Sequence, residues 1–142
     1  MVRLSSLARC SPRERSLLLQ ASAWLLLARV ALLLPLASAR RLLDRLSPLR
    51  PPRGDVSATE IGRAVERAGC RLLGDRSCLP QALAGRALLH RHGHSGEIRF
   101  GVNREEQPIS AHAWVESGGR IVIGGVHAEA YRLLRPTAED VP

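Results

Sequence analysis

Ile109-Ser110-Ala111-His112-Ala113-Trp114-Val115-Glu116-Ser117-Gly118-Gly119-Arg120-Ile121-Val122-Ile123 is the stretch that decides the fold. Ile109, Ala111, Ala113 and Val115 alternate with Ser110, His112, Trp114 and Glu116, the period of a strand with two unlike faces. Gly118-Gly119 is the two-residue turn that a right-twisted hairpin favours, because both central residues take positive φ there. Residues 120–125 return as the next strand. With that turn, Ser117 pairs with Arg120, Trp114 with Ile123, and His112 with Gly125. Upstream, Ile98, Phe100 and Val102 alternate with Glu97, Arg99 and Gly101, which adds a further strand.

Everything before residue 97 reads as helix. Ser11-Pro12-Arg13-Glu14 has the form of a capping box, with Ser at the N-cap, Pro at the first helical position and Glu at the third. The leucine-rich helix that follows runs from about 12 to 34 and stops at Pro35. Arg15, Ser22 and Arg29 recur at a spacing of seven, giving a narrow polar stripe on a helix expected to be buried on most faces. Arg29 also interrupts the apolar run, which leaves it short of the ~18 residues a span needs. Membrane association is not expected, although a membrane-surface helix is the alternative. Residues 40–46 suggest a short basic helical turn. A second capping box, Ser57-Ala58-Thr59-Glu60, opens a helix that Gly69 is expected to end, with Ile61, Ala64, Val65 and Ala68 on its apolar face. A further helix starts near Cys78 and ends at Gly93; Pro80 is tolerated in its first turn. Helices followed by a small antiparallel sheet make the chain α+β. The expected organisation is a helical N-terminal region over 1–46, a Pro-rich linker over 47–56, a core over 57–134 and a flexible tail over 135–142.

The 142 residues suffice for one domain. With 45% hydrophobic and 3% aromatic residues, its core is built from Leu, Ala and Val. The net charge is +8 and there is no lysine. The arginines are dispersed and few aromatics are available for base stacking, so nucleic acid is not the expected partner; an acidic peptide or protein fits the charge equally well. The cysteines are Cys10, Cys70 and Cys78. An odd count without C-x-x-C fits neither a disulfide framework nor a zinc site, and a reducing cytoplasm is the simpler setting. No phosphate-binding loop is present. His90, His92 and His94 alternate but lack flanking ligands at a metal-site spacing, and read as a basic helix end in which cations complement the dipole. No cofactor is implied.

Cys78 is the residue with chemical promise. A thiol at a helix N-terminus sits in positive potential, which favours the thiolate, and the first-turn amides can donate to an oxyanion. His112, mid-strand between two alanines, can hold or move its proton. A free cysteine is also commonly an inert core residue, and a strand histidine can be merely half-exposed. Cys70, placed just past a helix C-terminus, has no such claim.

Ser77-Cys78-Leu79-Pro80-Gln81-Ala82-Leu83-Ala84, the Gly93 turn, Arg99-Phe100-Gly101-Val102, and Ala111-His112-Ala113-Trp114-Val115-Glu116 with Gly119-Arg120 together resemble the leader peptidases of lasso-peptide biosynthesis. These are transglutaminase-like cysteine proteases, and the likeness covers residues ~57–125. It implies a papain-like core in which Cys78 is the nucleophile and His112 the general acid/base. It implies cleavage of a leader from a ribosomally made precursor during antibiotic peptide maturation. Its partners would be the precursor's leader, a separate leader-binding protein and an asparagine-synthetase-like cyclase. The chain looks like the stand-alone protease half of a split system. The family's acidic third residue falls about where Gly124 and Gly125 stand. Glu129 can replace it if the chain bulges after the glycines, Glu116 lies two pairs away, and a glycine carbonyl can orient the imidazole instead. Two other readings remain: a binding protein that has lost turnover, and an acyl transferase in which an amine replaces water.

Overall fold

The structure is a computed structural model that describes residues 10–51, 54, 56–74, 77–105, 107–126 and 128–134. His127 and the expected tail over 135–142 lie outside the described residues. Four helices, α1 (Pro12–Ala31), α2 (Leu36–Leu46), α3 (Ala58–Leu72) and α4 (Cys78–Arg91), precede strands β1 (Glu97–Asn103), β2 (Ser110–Ser117), β3 (Arg120–Ile123) and β4 (Arg132–Leu133). The strands form one antiparallel sheet in the order β3-β2-β1-β4. The α+β expectation holds.

Both capping boxes form. Ser11 Oγ accepts from Glu14 N–H, and the Glu14 carboxylate accepts from Ser11 N–H; Ser57 and Glu60 repeat the pattern. The Ser57 amide, and then its hydroxyl, hold the Glu60 carboxyl below its ordinary range. α1 packs on α3 and α4 through Leu17, Leu18, Ala21, Leu25 and Ala28. Its burial is one-sided rather than general: Leu19, Leu26 and Val30 are 72%, 53% and 61% exposed. α2 is longer than the expected turn, and begins directly after Pro35. It is fastened to α4 by the Arg86 guanidinium, which donates to both Asp44 oxygens at 2.7 and 3.0 Å and to the Gly96 carbonyl at 3.1 Å. Ser47 Oγ–H, fully buried, donates to the Ala87 carbonyl.

Gly69 does not end α3, which continues to Leu72. The glycine is a packing residue: a Cβ there would lie 2.6 Å from the Gln81 side chain on α4. Cys70 therefore sits inside the last turn of α3 rather than beyond it, and is exposed. Gly62 and Gly85 have similar roles. A Cβ at Gly62 would lie 2.0 Å from the Val122 carbonyl oxygen, and one at Gly85 2.0 Å from Ile123 Cδ1. These contacts draw α3 and α4 onto β3. The core behind the sheet contains Ile61, Val65, Leu88, Leu89, Ala113, Val115 and Ile123.

The hairpin turns at Gly118-Gly119 with φ of 57° and 77°, and Ser117 pairs with Arg120 as expected. Beyond that pair the register departs from expectation. Glu116 pairs with Ile121, but Val115 pairs with Ile123, so Val122 is an extra residue on β3. The predicted Trp114–Ile123 and His112–Gly125 pairings are displaced by this bulge. β4, a two-residue strand after a single 3-10 turn (Ala128–Ala130), pairs with β1 and was not anticipated from the sequence.

Candidate active site

Cys78 is the first residue of α4 and is half-buried. Ser77 occupies the N-cap, yet its hydroxyl makes no cap bond to the helix. Instead Ser77 Oγ–H donates to the Gly74 carbonyl at 2.7 Å, and the Gln81 amide donates to Ser77 Oγ. The amides of Cys78 and Leu79 thus have no side-chain cap, and Pro80 contributes no donor. Gln81, wedged against Gly69, braces this end of α4 on α3. Among the described residues the Cys78 thiol makes no hydrogen bond, so it is not joined to His112 in this structure.

His112 lies on β2, the strand against which α4 packs. Ala113 and Val115 turn to the helices, while His112, Trp114 and Glu116 alternate on the opposite side. The imidazole is held by rings and by a carbonyl. Its centroid is 6.0 Å from Trp114 and 5.1 Å from Tyr131. Gly101 on β1 makes room for both aromatics, since a Cβ there would meet each at 2.8 Å. His112 Nε2 lies 2.8 Å from the Gly124 carbonyl oxygen. A carbonyl only accepts, so Nε2 carries a hydrogen, and in the neutral imidazole the lone pair is then on Nδ1.

Gly124, not Gly125, is therefore the residue facing His112. Its φ of +76° takes the chain out of the strand and aims the carbonyl at the ring. A Cβ at 124 would lie 3.3 Å from His112 Nε2, whereas one at 125 would lie 3.3 Å from Ile121 Cγ2. The Gly124 N–H in turn donates to Glu66 Oε1 on α3 at 2.9 Å. Glu129 does not take the acid's place: it is exposed on the 3-10 turn, and the Nε2 hydrogen goes to Gly124. Glu116 is engaged elsewhere, accepting from Arg99 Nε at 3.3 Å and from Trp114 Nε1 at 3.2 Å. Sequence reading missed Glu66 and Tyr131. Neither stands at a distinctive spacing, and only the fold brings them to the hairpin.

The three alternating histidines do not converge. His92 Nε2–H donates to Gln20 Oε1 at 3.2 Å, His94 Nε2–H donates to the Val56 carbonyl at 2.7 Å, and the His90 carbonyl accepts from Arg50 N–H. They are half-buried rather than an exposed cationic end. Burial, aided by Arg86, pushes His90 below its ordinary range; burial, aided by Arg91 and His94, does the same to His92. Among the described residues no group of three His, Cys, Asp or Glu side chains could hold a metal ion, and no helix is long and apolar enough to cross a membrane. A groove of 590 Å³ between α1 and α3, lined by Arg15, Leu18, Leu19, Ser22, Ala68, Arg71 and Leu72, includes no residue of α4 or the sheet.

No curated protein and no solved structure matches the chain. A family model does: that of the transglutaminase-like superfamily, over residues 21–136. The match takes in the second half of α1, all of α2 to α4 and the whole sheet, the same elements that share one core and that carry Cys78 and His112. A cysteine at the start of a helix packed on a histidine-bearing strand is thus set in a family scaffold that extends well past the hairpin, and the chain belongs to the transglutaminase-like superfamily.

Proposed function

We propose that the chain is a cysteine peptidase that removes the leader from a ribosomally made lasso precursor, with Cys78 as nucleophile and His112 as general acid/base. The observation that carries the reading is the bond from His112 Nε2–H to the Gly124 carbonyl. It fills the orienting role of a triad's third member and leaves Nδ1 as the basic nitrogen, so a Cys–His pair without a carboxylate has the correct tautomer. Family membership supports thiol acyl chemistry at the coarser level.

This reading requires the Cys78 thiol, not bonded to His112 in this structure, to come within reach of Nδ1; it then gives its proton to Nδ1 and its sulfur attacks the carbonyl carbon at the leader–core junction. The amides of Cys78 and Leu79, which no side chain caps, are the donors available to the developing oxyanion. The C–N bond breaks as the imidazolium returns the proton to the departing nitrogen of the core. Water then attacks the thioester, His112 takes its proton, and the leader leaves as a carboxylic acid while the thiol reforms. A leader-binding protein and an asparagine-synthetase-like cyclase complete the proposed pathway, acting before and after this step in a cytoplasmic setting.

The missing carboxylate at 124 and 125 favours one second reading, a non-catalytic binding protein that keeps the fold. One assay separates the two. The purified chain is mixed with precursor and leader-binding partner, and product masses are followed. Cleavage that disappears in Cys78→Ala is expected. Cleavage that persists in that variant removes Cys78 as nucleophile, binding without cleavage by the parent selects the second reading, and incorporation of an added amine makes the chain an acyl transferase.

A further inference from the structure

We propose that Glu66 is a positioning residue for His112, acting through Gly124. The inference rests on His112 being the catalytic base of the reading above.

A glycine at φ +76° has little conformational preference of its own, so something else must decide where the Gly124 carbonyl points. Two hydrogen bonds flank its Cα. On one side the N–H donates to Glu66 Oε1 at 2.9 Å; on the other the carbonyl accepts from His112 Nε2–H at 2.8 Å. They belong to different peptide planes, so Glu66 acts by fixing the residue in space and not by polarising one amide.

The helix is matched to this task. Gly62 lies against the Val122 carbonyl, and Glu66, four residues on, meets the amide of Gly124, two residues on. Four helical residues rise roughly 6 Å, so one turn of α3 carries its contacts from the bulged Val122 to Gly124, just past the end of β3. The carboxylate is half-buried, and among the described residues it makes no ion pair that would draw it away. Glu116 and Glu129, the two acids weighed for this role from the sequence, are respectively engaged with Arg99 and Trp114 and exposed on the 3-10 turn. The chain therefore keeps an acid in its site, set one residue removed from the imidazole.

The test uses the full chain with Cys10→Ser and Cys70→Ser, so that Cys78 alone reports. At about pH 8.5, where neutral histidine dominates, NMR observes the His112 Nε2–H proton, and iodoacetamide measures the alkylation rate of Cys78. In the parent the Nε2–H resonance is expected to be resolved and slow to exchange. Glu66→Ala should abolish it and slow alkylation by up to about 100-fold, the scale at which a group misplaced by about 1 Å loses rate. Glu66→Gln keeps an oxygen acceptor for the Gly124 amide and should restore both. Should Glu66→Ala not fold, Glu66→Asp, one methylene short, is read in its place with the same expected loss. A protected Nε2–H that survives Glu66→Ala or Glu66→Asp overturns the proposal, and so does its loss in Glu66→Gln. A Cys78 rate indifferent to His112→Ala overturns the peptidase reading alone, because the resonance still decides the role of Glu66.

Discussion

Replacing Gly62 by alanine sets two physical effects against each other, and the structure decides the sign. Helix propensity alone favours Ala over Gly in a helix interior by about 1 kcal/mol. The new Cβ would stand 2.0 Å from the Val122 carbonyl oxygen, whereas real Cβ contacts are essentially never under 3.0 Å. The obstacle is backbone on both sides, so no side chain can swing away and α3 must part from β3 by about 1 Å, a gap that forfeits a quarter to a half of the dispersion across it. Ile61, Val65 and Ile123 line this interface, and all three are essentially inaccessible. Overpacking of this kind costs about 3 kcal/mol at its upper range; after the propensity gain the net loss is about 2 kcal/mol. With a urea m-value of about 2 kcal/mol/M, the unfolding midpoint should fall by about 1 M. Urea denaturation followed by far-UV circular dichroism measures this directly. A Gly62→Ala protein at least as stable as its parent would refute the close approach of α3 to the bulge, and with it the geometry that places Glu66.

Two further predictions concern the periphery of the site. His90 and His92 are held below the ordinary value of 6.5 in the folded chain, so between that value and their lowered ones the unfolded chain binds more protons. Their contribution is therefore intact above about pH 6.5 and is lost as the pH falls through 6.5 toward the lowered values; thermal melts from pH 8 to 5 should show the decline, flattened in a His90→Gln, His92→Gln double variant, and a slope unchanged in that variant contradicts the assignment. Arg86→Ala should destabilise by about 1–2 kcal/mol, a value set by a charged, half-exposed bidentate pair with Asp44, and Arg86→Lys should not recover it because an ammonium cannot match the fork; full stability in the lysine variant would mean that the charge alone suffices.

How much of this was legible in the sequence follows from how local each determinant is. The capping boxes at Ser11–Glu14 and Ser57–Glu60 and the Gly118-Gly119 turn are written within four residues, and each forms as read. Gly69 misleads because a glycine that ends a helix and one that lets a neighbouring helix approach are the same letter; only Gln81, twelve residues on, distinguishes them. The bulge at Val122 is less legible still. Nothing in Arg120-Ile121-Val122-Ile123 marks one residue as extra, and the contact that accompanies it comes from Gly62, sixty residues earlier. The burial of the histidines is hidden from the sequence for the same reason, since it depends on α1 and on the segment around Val56. The helix start at Cys78 and the strand position of His112 were legible because such positions are local; a glycine carbonyl was one of several candidates to orient His112, and only the fold singles out Gly124.

The bulge also sets the evolutionary distance between this site and one with its own acid. A point substitution does not supply the carboxylate. At 124 the Cβ is already 3.3 Å from Nε2, leaving no room for a carboxyl group between them, and at 125 the side chain looks toward Ile121. Closing the bulge, so that Val122 pairs with Val115 as an ordinary strand residue, would instead bring position 125 opposite His112. The same shift would pull Gly124 away from Glu66. The acid-bearing and carbonyl-bearing arrangements are therefore alternatives separated by one step of strand register, and passing from one to the other takes a change of register as well as of residue.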